Sequence, residues 1–466
     1  MNGQDRSWGS GGSARIGNRA RLGGVLAAFA LVLAACGGSA TPSPAGSAAA
    51  SPPASQPAGS PAASGGTGYS GPPAALEYSI WGDPAEIRSQ QAIVDAFTAA
   101  NPTVTVNVTV ADWDQYWDKL QTGLAGGAAP DVFAMDGPLG PDYQTRDVLL
   151  DLTPFIEQEG YDLSQLDENA VRDFTTSDGQ QFGLPRDLNV IALFYNKQMF
   201  DDAGIPYPDD TWDWAKLVEV GKQLTKDTNG DGTMDQWGLY TETTDMENAW
   251  SSFVWQAGGD ILSEDGTTSA LDQDASAAGI QFLQDLIWKE KVSPDPALFA
   301  ETGDAFEQGV AAMEINGSWL VPTHEAAGIS FGIAPLPKGS AGAATSVNPT
   351  GAVVYKNTKS PEAAWALVKY LASPEAQKGI MALKASVPVN KEILGTTYPS
   401  AFEGAQVFAD ALAYAHLKPS FRGYNDFTTV LQTELDENVF NNPSKTAKEA
   451  IAAVNDQLNQ ILADNQ

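Results

Sequence analysis

Leu76-Glu77-Tyr78-Ser79-Ile80-Trp81, followed at once by Gly82-Asp83-Pro84, reads as a strand that ends in a turn. A helical stretch follows from Ile87 to Ala100, and Val104 to Val110 then alternates Val with Thr or Asn as a second strand. Asp112-Trp113-Asp114-Gln115-Tyr116-Trp117 opens an amphipathic segment that stops at Gly126-Gly127, and Pro130 to Asp136 is another short strand with a polar end. Strand, helix, strand, helix, strand is the rhythm of an α/β sheet. Ligands of such sheets gather beyond the carboxyl ends of strands, which makes Trp81, Asp83 and Asp136 candidates by position alone.

Towards the N-terminus the composition changes. Four arginines, Arg6, Arg15, Arg19 and Arg21, precede an apolar run from Leu22 to Ala35 that is too short for an ordinary membrane span and suits a signal peptide. The run closes on Leu33-Ala34-Ala35-Cys36-Gly37, which resembles a bacterial lipobox and assigns the chain's single cysteine, Cys36, to lipidation. Residues 1–35 are therefore expected to be removed. Residues 36–73 are Ser, Pro, Ala and Gly with few large apolar side chains, so nothing offsets the entropy of ordering them, and they read as a disordered tether.

Towards the C-terminus the helices declare themselves by their caps. Ser360-Pro361-Glu362 and Ser373-Pro374-Glu375 each open one, and Thr446-Ala447-Lys448-Glu449 is a capping box before a stripe of Ile451, Val454, Leu458, Ile461 and Leu462. With 466 residues, more than one core is expected. The balance of 58 acidic against 26 basic residues gives a formal charge of -32, which disfavours nucleic acid and an anionic lipid surface as partners. Only His324 and His416 are available for imidazole chemistry, and one cysteine excludes an intrachain disulfide.

Several further segments carry a resemblance. Gly183-Leu184-Pro185 leads into Phe194-Tyr195-Asn196-Lys197. Thr211-Trp212-Asp213-Trp214, Gln256-Ala257-Gly258-Gly259, the run from Ala312 to Trp319, Ser360 to Trp365 and Pro388-Val389-Asn390 follow in order. From about Leu76 to the C-terminus the chain resembles the extracellular solute-binding proteins of ATP-driven importers, in their carbohydrate-binding, maltose-binding-protein-like group. The resemblance implies a two-lobed α/β periplasmic-binding-protein fold that closes by a hinge on one ligand. It implies crossings between lobes near 185–189, 334–338 and 385–391, and so two discontinuous lobes, residues 74–187 with 336–387 and residues 188–335 with 388–466. The implied role is a monomeric, non-enzymatic, lipid-anchored component that hands a sugar or oligosaccharide to a membrane permease, with no required cofactor.

A sugar presents hydroxyls and weakly apolar faces, so its site needs Asp, Asn and Arg around aromatic plates. Trp81, Asp83, Trp113 and Asp136 would furnish these on the first lobe, with Asp187 at the first crossing. Trp250, Trp255, Asn316, Ser318, Trp319, Arg422 and Tyr424 would do so on the second. Trp212, Trp214, Trp237, Trp288 and Trp365 lie on or beside helical patterns and read as core.

Two rival readings stand beside this one. The same fold would hold a polyamine if carboxylates faced each other with no Arg nearby, a test that Arg422 weights towards sugar, and a secreted glycan hydrolase would use the same tryptophans with paired acids. Separately, Asp227, Asn229, Asp231, Thr233 and Asp235 occupy alternate positions of an EF-hand-like loop with Gly232 at the sixth, but Gly238 stands where the bidentate Glu belongs. Structural calcium and a self-bonded Asx turn both fit that loop. Gly66 to Gly71 and Gly328 to Gly332 imitate nucleotide and hydrolase motifs, without the strand or helix that either requires.

Overall fold

The computed structural model describes residues 68–82, 84–299 and 303–465. Cys36, the expected signal peptide and most of the expected tether lie outside them, as does Asp83.

Among the described residues ten strands form the sheet framework: β1 (Ala74–Trp81), β2 (Val104–Ala111), β3 (Val132–Asp136), β4 (Gly183–Asn196), β5 (Tyr240–Thr241), β6 (Met313–Gly317), β7 (Phe331–Ala334), β8 (Thr345–Val354), β9 (Val387–Pro388) and β10 (Ala415–Leu417). The main path runs β2-β1-β3-β8-β4-β6-β5. β1 lies parallel to β2 and β3, so Trp81 and Asp136, each the last residue of its strand, finish at the same edge. The alternation read in β1 is a burial alternation, with Leu76, Tyr78 and Ile80 buried and Glu77 and Ser79 less so. β3 and β8 are buried along their whole length, as expected of strands covered on both faces.

The helices begin where their caps placed them. Asp112 accepts from the Gln115 amide at 3.0 Å to start the Trp113–Gly126 helix, which ends on Gly127 at φ 68°. Thr446 and Glu449 form the capping box reciprocally.

Three chain passages join the two lobes side by side. β4 is antiparallel to β8 through Leu188↔Pro349 and Asn189↔Asn348, and to β9 through Asp187↔Pro388. The β4 ladder changes partner after Val190: from Ile191 onward it pairs with β6 and β7. The Gln377 side chain fastens this ribbon, donating to the Arg186 carbonyl at 2.6 Å and accepting from the Val389 amide at 2.8 Å.

The passage expected near 334–338 lies later in the chain. Lys338 exchanges backbone bonds with Trp212 and Trp214, Gln256 bonds Ala344, and the Ser346 amide donates to Ser252. The stretch 336–346 therefore packs beside elements that were assigned to the second lobe, and β8 itself carries the chain across. The resemblance put this boundary too early, and the prolines at 335 and 337 agree with it no better than with a packed loop, since an extended, Pro-bearing stretch serves as either.

The EF-hand-like loop is closed by its own backbone. Asp227 accepts from the amides of Gly230 and Gly232, both at 2.7 Å, while Asn229 accepts from Asp231 and Asp231 from Thr233. Asp235 is taken by the Thr228 amide and hydroxyl. With these oxygens satisfied, stripping divalent ions with EDTA is expected to leave the melting midpoint within about a degree of its starting value, whereas a fall of several degrees would mean the loop is held by metal.

Candidate functional site

A cavity of about 810 Å³ opens between the β1/β3 edge and the helices on the far side of the ribbon. Of the residues singled out in the sequence, Trp81, Trp113, Asp136, Asp187, Trp250, Trp319 and Tyr424 line it. Trp81 is fixed by its neighbours, meeting Trp113 edge-on at 5.0 Å and Tyr116 at 5.2 Å, with Trp117 tilted at 5.6 Å. Trp113, at the start of its helix, is 45% exposed and forms an outer plate at the mouth. Trp319 faces the cavity from the other side, just beyond β6. A side-chain carbon at Gly317 would come within 1.9 Å of the Trp319 ring, so the ring lies back over that glycine only because nothing stands there.

Four candidates fall elsewhere. Trp255 is buried in the second lobe, stacked on His416 at 4.8 Å with its indole donating to Asp260 at 3.2 Å. Asn316 and Ser318 are buried: β6 runs through Asn316 to Gly317, Asn316 bonds Glu314 at 2.8 Å, and Ser318 accepts from the Val190 amide at 3.4 Å. Arg422 is exposed and does not line the cavity. Its neighbour Gly423 turns at φ 79°, a backbone reversal that leaves Tyr424 buried at the wall and Arg422 outside.

The cations of the cavity are Arg186 and Lys418, and neither was foreseen. Arg186 stands at a bulge in β4, where the β8 register skips from Pro185 to Asp187. The bulge re-aims its side chain: Nε meets Asp187 at 2.9 Å, and the terminal nitrogens reach the Tyr78 hydroxyl and Thr350 Oγ1, each at 3.4 Å. Burial opposes the guanidinium charge, and Asp187 and Tyr78 more than offset it. Lys418, just past β10, donates to Glu247 at 2.8 Å and lies 3.6 Å from Asp136. Asp136 in turn accepts from the Asn348 amide nitrogen.

A second feature missed by sequence reasoning is one face of the Tyr424–Leu435 helix. Tyr424, Thr428 and Gln432 line the cavity with Asn425, Thr429 and Thr433, two rows at a spacing of four that continue to Asp436. That spacing of four is visible in the sequence from Tyr424 to Asp436. Gln432 is held by its own bonds, to the Thr243 carbonyl at 2.5 Å and Asp436 at 2.8 Å, and it accepts the Trp250 indole at 3.3 Å.

Several acids around the cavity sit in unfavourable solvent. Burial raises Glu247 to about 7 against the pull of Lys418, with Asp136 adding to the rise. Burial and the nearby Asp136 raise Asp173, whose carboxylate lies against Gly137 behind the wall, to about 7. Deeper in the second lobe, burial and Glu314 raise Asp304 to about 8.

For each such acid the folded state holds its proton more tightly than the unfolded chain, so stability falls as pH rises through the folded value. Buried His324, whose value burial lowers, costs stability only below its ordinary range near 6.5. Thermal unfolding is thus expected at a higher midpoint at pH of about 6.5 than at about 8.5, and a midpoint that rises with pH across that window would contradict these assignments.

A family model for bacterial extracellular solute-binding proteins matches residues 82–378. A maltotriose-binding protein of Pyrococcus abyssi is 25% identical, over 80% of this chain and 79% of that protein. A galactooligosaccharide-binding protein of Bacillus subtilis is 24% identical, over 77% of this chain and 83% of that one. Among solved structures, an ABC substrate-binding protein from Listeria monocytogenes in complex with cycloalternan superposes with a TM-score of 0.77 at 27% identity, covering 84% of this chain and 99% of the other.

Proposed function

The chain belongs to the bacterial extracellular solute-binding proteins, and from that premise we propose that it is the substrate-binding component of an ATP-binding-cassette importer, capturing a sugar or short oligosaccharide in the cavity and presenting it to a membrane permease. One observation carries the sugar reading. Aromatic plates stand on both walls, Trp81 with Trp113 on one and Trp319 with Tyr424 on the other, and the polar groups between them are carboxylates, amides and hydroxyls, with Arg186 and Lys418 each paired to a carboxylate. Stacked rings fit the C–H faces of a pyranose and the acceptors fit its hydroxyls. The relatives named for maltotriose and galactooligosaccharides support an oligosaccharide over a monosaccharide, as does a cavity of about 810 Å³.

Closure works through the ribbon. A ligand that touches both walls favours the arrangement in which they approach, and so shifts the open-closed balance by its preference for the closed form. We read Cys36 as the acylated N-terminus of the processed chain and the stretch after it as its tether, which stops short of the expected residue 73 because the Tyr69 amide already donates to Asn101 at 2.6 Å and its ring packs on the core; this reading puts the protein outside the cytoplasm on a lipid anchor. No catalytic step is assigned to the cavity.

The test is a thermal shift of the purified protein against maltotriose, a galactotriose and spermidine, with recovery of the sugars. Ligand at a hundred times its dissociation constant adds about 2.7 kcal/mol, enough to raise the midpoint by several degrees. The expected result is a shift by a sugar that is recovered intact. A shift by spermidine alone, or recovery of cleaved sugar, would overturn the reading. The Trp319→Ala variant is expected to weaken the responding sugar at least about tenfold while leaving the ligand-free midpoint within about two degrees, because the ring is partly exposed to the cavity.

A further inference from the structure

Building on the sugar reading, the inventory of charge and unsatisfied hydrogen bonds at the cavity wall narrows the kind of sugar. Among the described residues six carboxylates line it, Asp112, Asp136, Asp187, Asp245, Glu247 and Asp436, against two cations. Both cations are already paired inside the protein, Arg186 with Asp187 at 2.9 Å and Lys418 with Glu247 at 2.8 Å and Asp136 at 3.6 Å. Separating either from its partner would leave a buried carboxylate uncompensated. Among the described lining residues, then, no cation is free to meet an anionic ligand.

The unsatisfied atoms point the same way. Four lining side chains carry a buried polar atom without a partner: Gln90 Oε1, Glu247 Oε1, Asn248 Oδ1 and Asn348 Oδ1. The three amide oxygens can only accept, and Glu247 Oε1 accepts whenever that acid is ionised. For the two asparagines the orientation is fixed by carboxylates. Asn248 Nδ2 donates to Glu242 at 2.9 Å and Asp245 at 3.0 Å, and Asn348 Nδ2 donates to Asp136, so turning either amide would set oxygen against oxygen. Asn348 is only 3% exposed, so its carbonyl oxygen has little water to turn to. The acids behind the amides thus hold them with oxygen left over, and a ligand that brings donors is the one that satisfies this wall.

We propose that the cleft selects its saccharide by charge, favouring a sugar that carries an ammonium group over its neutral counterpart and rejecting uronates and sugar phosphates. An ammonium group supplies three donors and a positive charge to a wall that has acceptors and net negative charge to spare, while a carboxylate or phosphate brings acceptors to acceptors. The burial that raises Glu247 and Asp245 is the cost of holding acids here without enough cations, and a ligand cation offsets it.

The experiment is titration calorimetry of the purified protein with two matched series, maltotriose and a galactotriose, each also as its terminal 6-amino-6-deoxy derivative and its terminal uronate. At pH of about 7 and about 20 mM NaCl the amine is expected to bind roughly tenfold tighter than the neutral sugar, and at about 500 mM NaCl that ratio should shrink as salt screens the wall. The uronate is expected to give no measurable heat. A neutral sugar that binds as tightly as its amine, or a uronate that binds comparably, would overturn the charge selection and leave the sugar reading intact. Silence from every member of both series would overturn both.

Discussion

The structure depends on three strands lying side by side where the lobes meet. β8, β4 and β9 are hydrogen-bonded neighbours, and Gln377 bonds the backbone on both sides of the β4–β9 pair. A single extended linker would let two bodies drift independently; three bonded strands allow them to bend about a common line and do little else. The bulge at Arg186 falls within this ribbon, so the one residue released from the ladder there is also the one whose guanidinium braces Asp187, Tyr78 and Thr350. Hinge and binding wall are the same few residues. Strain or contact at one is therefore felt at the other without any longer path between them.

The electrostatics of the cavity follow from a shortage of partners. Sheet edges and helix ends bring Asp136, Asp187, Asp245 and Glu247 together, and among the described lining residues the cations set beside them are Arg186 and Lys418. The remaining carboxylates find donors in amides, as Asp136 does in Asn348 and Asp245 in Asn248. Each amide used this way exposes the character of its other end, so the acids behind the wall decide what the wall offers in front. The expectation that Arg422 would set the balance placed the cation on the wrong side of a glycine turn. Arg186 and Lys418 hold that place, and both are committed.

Much of the fold was legible because it rests on local periodicity. The alternation in Leu76 to Trp81, the polar end of the strand finishing at Asp136, and the caps at Asp112, Ser373 and Thr446 are short-range signals with short-range causes. The cavity was legible where it coincides with strand ends, hence Trp81 and Asp136. It was illegible where tertiary geometry decides. A bulge at Arg186 leaves no mark in the order of residues, and Asn316-Gly317-Ser318 has the composition of a turn but holds the buried end of β6, the chain turning only from Ser318 onward while Gly317 makes room for a ring. Trp255 belongs to a short helix that is buried on every side, and its partners Asp260 and His416 are known only once the chain is folded.

Gly317 has a consequence at the level of heredity. The Trp319 ring occupies the volume in which any other residue's first side-chain carbon would sit. Every glycine codon lies one base from an alanine codon, so a single nucleotide change is enough to lift that ring off its seat and reshape one wall of the cavity, while the backbone, at φ -91°, accepts alanine without strain. The shape of the cavity is thus exposed to mutation at a position that does not itself line it.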